Sequence, residues 1–227
     1  MLKHFYLSAT LQTGQNLTLP PELQHRLHKV LRLGQGAAVA FFNGLLASQN
    51  GGIYTATITN PSCRTATIGA QLAATPAVSG PILAIGVPKR EAWESALRQA
   101  TELGASAIQP LKTAFCQVGK INTERAQSIL IEAAEQSERL TIPTLLPLQT
   151  LESFLSTLNT PCAWAAERTP AQLTTLKPHH ILIGPEGGFS PAEKSQLQAH
   201  PNIHPIALGP TILRTDTAVV ATLAKYL

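Results

Sequence analysis

His180-Ile-Leu-Ile-Gly184-Pro185-Glu186-Gly187-Gly188-Phe189-Ser190-Pro191-Ala192-Glu193 decides how the rest of the chain is read. An apolar run suited to a strand buried on both faces enters a glycine-rich bend and leaves it as a helix. Ser190 and Glu193 have capping-box spacing and Pro191 stands at the first helical position, so the helix start is well specified. Gly184, Gly187 and Gly188 allow positive φ and close approach of a ligand to the backbone. Bends of this kind, at the carboxyl edge of an α/β sheet, are where small ligands sit. The stretch is not a G-x-G-x-x-G fingerprint, and the chain has no Gly-Lys-Ser/Thr phosphate loop.

A second segment, Ile206-Ala-Leu-Gly209-Pro210-Thr-Ile-Leu213-Arg214-Thr215-Asp216, repeats the context of a strand ending in Gly-Pro before a helix. Thr215 is the expected N-cap. Arg214 beside a helix N-terminus opposes the macrodipole, so its charge is placed for work elsewhere, such as holding a carboxylate, a phosphate or a neighbouring loop.

Working outward, Pro81 to Val87 is another buried-strand run. It is followed by a helix whose Trp93, Leu97, Ala100 and Leu103 share one face, with Glu94–Arg98 as an i,i+4 pair and Gly104 at C′. Strands are expected at 107–111, 161–166, 180–184 and 203–208, and helices at 123–139, 191–199 and 216–226. This alternation predicts an α/β layer with a mainly parallel sheet over 81–227. Residues 1–72 read instead as β-rich, with strands near 2–7, 37–42, 53–58 and 66–68, a short helix at 21–30 and a turn at Asn43-Gly44. The small, uncharged stretch 73–80 reads as a linker.

The 227 residues carry a net charge of +4 with only 13% charged. The basicity thus reflects few acids, and it points to nucleic acid only if the bases converge on one face. Cys63, Cys116 and Cys162 are far apart and unpaired in spacing, which predicts neither a disulfide framework nor a zinc site. His25 and His28 lack a third ligand, so no metal is expected. The apolar runs are too short to span a bilayer. With no charged-then-apolar leader at the start, the expected compartment is the cytoplasm.

The pair of segments around 181–190 and 207–218 resembles the ribosomal RNA small subunit methyltransferase E family, within the SPOUT superfamily of knotted methyltransferases. Ordered matches extend the resemblance over nearly the whole chain: His28-Lys-Val-Leu-Arg32, Phe42-Asn-Gly44, Ala100-Thr-Glu-Leu-Gly104 with Ile108-Gln-Pro110, and Glu132 to Arg139 followed by Ile142-Pro143. The chain departs from the family's pattern at Asn43, Gln99, Phe115, Ala126 and Asp216.

The resemblance implies an N-terminal PUA-like β-barrel that helps bind RNA, and a C-terminal SPOUT domain with a trefoil knot. It implies a homodimer that transfers a methyl group from S-adenosylmethionine to N3 of a 16S rRNA uridine. The donor would lie against Ile183, Gly184, Pro185, Glu186, Gly187 and Gly188 of the first bend and Leu208, Gly209, Leu213 and Thr215 of the second. Arg214 is the expected electrostatic stabiliser of the uridine anion. Glu186 has two readings, a base or an acceptor that organises the loop. His28 and Arg32 are expected RNA contacts, with Arg139 a further candidate. Lys89 and Arg90, at a helix start that favours acids, are either phosphate contacts or plain exposed surface. Two rival readings stay open: a SPOUT methyltransferase acting on 23S rRNA or tRNA, and a non-catalytic RNA-binding protein.

Overall fold

The computed structural model describes residues 2–116, 120–166 and 177–226. The chain forms two compact units, Met1–Val78 with Ala134–Thr141, and Ser79–Ala133 with Ile142–Leu227.

In the first unit, β1 (His4–Tyr6), β2 (Asn16–Thr18), β3 (Ala38–Phe42), β4 (Gly52–Ile58) and β5 (Thr65–Ala74) build a five-stranded sheet in the order β1-β3-β4-β5-β2. β1 runs parallel to β3, and the other pairs are antiparallel. Phe5, Leu11, Leu27, Phe41, Ile58 and Ile68 fill the core, with the Phe5 and Phe41 rings 6.5 Å apart.

Three sequence expectations change in this unit. The helix expected over 21–30 is α1 (Pro21–His25) continued by a π-helical turn, Arg26–Val30, closed by Leu31 N–H donating to the Arg26 carbonyl. Asn43-Gly44 is not a two-residue hairpin turn, because residues 43–51 separate β3 from β4. The Asn43 side chain, 3% exposed, organises that loop: Oδ1 accepts from Leu45 and Gly52 N–H, and Nδ2 donates to the Asn50 carbonyl. Finally, the start of the expected linker is strand, since Ala73 and Ala74 pair with Ile53 and Gly52.

The second unit holds β6 (Ile82–Gly86), β7 (Ala107–Lys112), β8 (Thr144–Leu145), β9 (Gln149–Thr150), β10 (Cys162–Ala165), β11 (His180–Ile183) and β12 (Ile203–Ile206). They form one sheet in the order β12-β10-β11-β6-β7-β8, with β9 also beside β7, and every pairing is parallel. The helices are α2 (Arg90–Glu102), α3 (Thr123–Gln136), α4 (Leu151–Thr157), α5 (Pro191–Ala199) and α6 (Thr215–Lys225). The end of α3, from Ala134, belongs with the first unit.

Side chains alternate across the strands, and each set finds its own helical layer. Leu83, Ile85, Ile181 and Ile183 pack with Trp93 and Leu97 of α2, Ile129 and Leu130 of α3, and Val219 and Leu223 of α6. On the opposite face, Ala84, Leu182, Cys162 and Trp164 pack with Phe154 of α4 and Leu197 of α5. Burial among these apolar neighbours pushes the Cys162 thiol well above its usual range, so it stays a protonated core residue.

This layering creates the site. β6 is the first strand in sequence but lies inside the sheet, with β7 on one side and β11 on the other. The chain leaves β6 towards α2 on one face and leaves β11 towards α5 on the other. Adjacent parallel strands whose connections diverge to opposite faces open a crevice at their carboxyl ends.

Candidate active site

The crevice is a cleft of about 790 Å³, within the range of small-molecule sites. Its first wall is the bend after β11, where Ile183, Gly184, Pro185, Glu186 and Gly188 face the cleft. The capping box beyond the bend is fully formed. Ser190 N–H donates to Glu193 Oε2 at 2.8 Å, and Glu193 N–H donates to Ser190 Oγ at 3.3 Å. Glu193 Oε1 also accepts from Ala114 N–H, which pins the helix start to the segment after β7.

Positive φ is confined to Gly188 in this bend, at 67°. Gly184 and Gly187 serve for close approach instead. A Cβ at Gly184 would lie 3.1 Å from the Phe189 ring, and one at Gly187 would lie 2.9 Å from Phe115 Cβ. Gly187 packs against Phe115 and is not on the cleft wall, unlike its neighbours.

The second wall is the segment after β12, where Leu208, Gly209, Leu213, Arg214 and Thr215 face the same cleft. Gly209 has φ of 139° and open space where a Cβ would stand. Thr215 is not the N-cap of α6. Arg214 holds that position, with extended backbone (ψ 156°) and no side-chain cap. Thr215, 4% exposed, sits inside the first turn and its Oγ1 donates to the Gly184 carbonyl at 3.3 Å. One hydroxyl thus ties the two bends together. The Arg214 side chain is exposed on the cleft, with no hydrogen bond or ion pair among the described residues.

Glu186 organises the crevice through a bond that crosses from the β11 bend to the β6 turn: its Oε1 accepts from Lys89 N–H at 3.0 Å. The Lys89 side chain is on the cleft rim, whereas Arg90 is turned away from it. The Glu94–Arg98 pair does not form. Glu94 instead takes Arg90 Nε and Arg125 Nη2, each at 3.0 Å. Those two bonds hold the Glu94 carboxyl down at about 2 and raise the Arg125 guanidinium further, while Arg98 is left exposed on the cleft rim.

A third wall went unread in the sequence: the end of β10, Trp164 to Ala166. Trp164 meets Phe189 edge-on, with ring centroids 6.1 Å apart, and its buried Nε1 has no hydrogen-bond partner among the described residues. Nothing local marks this residue, because it reaches the cleft only through the position of β10 between β12 and β11. The remaining nucleic-acid candidates lie in the first unit. His28 is half-buried, its Nδ1 without a hydrogen-bond partner among the described residues, Arg32 is exposed at φ 54°, and Arg139 Nε donates to Thr141 Oγ1 at 2.7 Å. Glu135 also belongs to that unit, where it accepts from Tyr6 N–H and pairs with Arg26. Among the described residues no group of three or more His, Cys, Asp or Glu could hold a metal. No helix there is long and apolar enough to cross a membrane.

A parallel sheet with helices on both faces, opening at its strand order switch into a cleft walled by two glycine-bearing bends, defines an α/β protein that binds a small-molecule cofactor or co-substrate. Residues 79–226 match the family described as RNA methyltransferase domain. The chain is 35% identical over 151 residues to the ribosomal RNA small subunit methyltransferase E of Rickettsia conorii, an alignment that spans 63% of this chain and 62% of that protein, less than two thirds of it. It is 32% identical to the protein of the same name from Synechocystis, over 92% of this chain and 72% of that one. The solved ribosomal RNA small subunit methyltransferase E of Neisseria gonorrhoeae, bound to S-adenosyl methionine, superposes with a TM-score of 0.85 at 27% identity, covering 99% of this chain and 96% of that one. The chain belongs to the ribosomal RNA small subunit methyltransferase E family.

Proposed function

We propose that this protein methylates a uridine at N3 in 16S rRNA, using S-adenosylmethionine as donor, and that it works as a homodimer on the small ribosomal subunit in the cytoplasm. The observation that carries the reading is the bond from Thr215 to the Gly184 carbonyl, which closes two glycine-bearing bends around one cleft. The Neisseria relative holds S-adenosyl methionine, and the residues here suit the same ligand. The cleft has ample volume, main-chain groups turned to it at Gly188 and Gly209, and an apolar wall at Trp164 and Phe189. The trefoil knot and the PUA-like barrel belong to the same proposal and rest on the family resemblance.

When bound, the donor supplies an activated methyl group. The methyl carbon leaves the sulfonium sulfur and bonds to uridine N3, and N3 gives up its proton to solvent. S-adenosylhomocysteine and N3-methyluridine are the products. Each residue has a limited task in this scheme. The two bends fix the donor, and Trp164 and Phe189 keep water from one side of it. Arg214, which makes no ion pair among the described residues, stabilises the negative charge that grows on the deprotonating uridine. Glu186, occupied by Lys89 N–H, holds the crevice open instead of taking the proton.

The test is methyl transfer from labelled S-adenosylmethionine to small subunits, large-subunit rRNA and tRNA, with the modified nucleoside mapped by mass spectrometry. N3-methyluridine in 16S rRNA alone is the expected result. Label in 23S rRNA or tRNA would move the substrate, and donor binding without transfer would favour a non-catalytic RNA-binding protein.

A further inference from the structure

A second pocket, of about 300 Å³, lies on the other side of the β6–α2 turn from the cleft. Its floor is apolar, made by Val87, Trp93, Ala126 and Ile129, with Ile121 at the edge. Three cations, Arg90, Lys120 and Arg125, and one carboxylate, Glu94, ring its mouth. Trp93 is 7% exposed and Ala126 1% exposed, so this floor is built into the core of the unit.

The mouth is ordered before any ligand arrives. Glu94 receives Arg90 Nε at 3.0 Å and Arg125 Nη2 at 3.0 Å, which fixes both guanidiniums. Asn122 Oδ1 accepts from Arg125 N–H and sets the backbone below it. Yet the arginine side chains stay 82% and 53% exposed, and Glu94 is the one carboxylate bonded to them among the described residues, with Glu132 acting on Arg125 through its charge alone. Arginine loses less freedom per bond when its fork is already held, so a fixed pair beside an apolar floor suits a ligand with one anionic and one flat apolar part. Lys89 and Arg90 are consecutive, with Lys89 on the cleft rim and Arg90 on this one. A single strand can therefore reach both pockets within a few nucleotides.

We propose that this pocket is a nucleotide subsite: it receives an unpaired base of the RNA next to the methylated uridine, while Arg90 and Arg125 take the adjoining phosphate. Single-stranded RNA is recognised in this way, by splayed bases held in apolar or aromatic pockets with arginines on the backbone. The proposal rests on the rRNA methyltransferase reading of the neighbouring cleft.

The test uses the full chain and an rRNA fragment carrying 4-thiouridine beside the target. Arg125→Ala should weaken RNA binding about tenfold and flatten its salt dependence by about one unit of slope, as expected for one lost phosphate contact. Ile121→Trp fills the edge of the pocket and keeps every charge; it should weaken binding with the slope unchanged. Both should bind S-adenosylmethionine as the wild type does. Irradiated wild-type complexes should crosslink to the peptide spanning 120–129, a result that stands whether or not either variant folds. Crosslinks confined elsewhere, or a folded Arg125→Ala with unaltered affinity and slope, would overturn the subsite. Wild-type protein that binds no rRNA would overturn the underlying reading instead.

Discussion

The two pockets on either side of the β6–α2 turn treat positive charge in opposite ways. In the cleft, Arg214 has no hydrogen bond or ion pair among the described residues, and it faces a surface shared by the two glycine-bearing bends, Trp164 and Phe189. In the second pocket, Arg90 and Arg125 are locked on Glu94. An unpaired arginine beside a helix start keeps its full charge for something that becomes negative only during reaction. A paired and fixed arginine suits a ligand that is negative throughout. The difference separates a place for chemistry from a place for holding, one on each side of the β6–α2 turn.

The comparison predicts its largest effect in the cleft. Gly188→Val puts a β-branched residue at φ 67°, a conformation such residues avoid. It should reduce S-adenosylmethionine binding below detection by calorimetry while the far-ultraviolet circular dichroism stays native. Unchanged affinity in the folded variant would remove this bend from the donor site.

Next in size is Arg214→Ala. It should leave donor affinity intact and slow single-turnover methylation at saturating RNA by about 100-fold or more, the usual loss for one electrostatic stabiliser. A wild-type rate would erase the contrast between the two pockets and send the search for the catalytic charge to Lys89, Arg98 and Lys194, the other cations that line the cleft.

Glu94 offers a sharper, smaller test of the holding side. Its carboxyl is held at about 2 by its bonds to Arg125 and Arg90, well below the ordinary value of 4.5. The depressed value means that the contribution of these bonds to stability is complete above about pH 4.5 and is lost as pH falls through about 2. A carbon-detected titration should place its midpoint near 2, and Arg125→Ala should return it towards the ordinary range. A midpoint near 4.5 in the wild type would mean that the clamp does not exist in solution.

The smallest effect lies away from both pockets. Burial, aided by His179, lowers the His180 pKa from 6.5; the ring meets Phe154 edge-on and Thr160 through Nδ1. The unfolded chain then binds a proton that the folded one resists. Stability should be complete above about pH 6.5 and decline as pH falls below it. Melting temperatures between pH 7.5 and 5.5 should show a decline that His180→Asn lessens.

Legibility in the sequence followed distance along the chain. The capping box at Ser190 and Glu193, the start of α5 and the face of α2 rest on neighbours within a few residues, and each stands where local spacing placed it. Both bends of the cleft were legible for the same reason, and the family motifs named them. What escaped depends on partners far away. Trp164 joins the cleft only because β10 slots between β12 and β11. Glu94 passes over Arg98, one turn on, for Arg125, which belongs to another helix. Thr215 has the composition of a cap, but the Gly184 carbonyl, 31 positions earlier, claims its hydroxyl. The helix α4 did carry a local signal, Thr150 capping Ser153 N–H ahead of Leu151, Phe154 and Leu155, and it went unread.

A crystal structure of the protein with S-adenosylmethionine tests the central claim most directly. The account predicts the donor in the cleft, contacted by main-chain groups at 184–188 and 208–213, with its methyl group turned towards Arg214 and the Thr215–Gly184 bond intact. Donor density outside that cleft, or a methyl group facing away from Arg214, would contradict it.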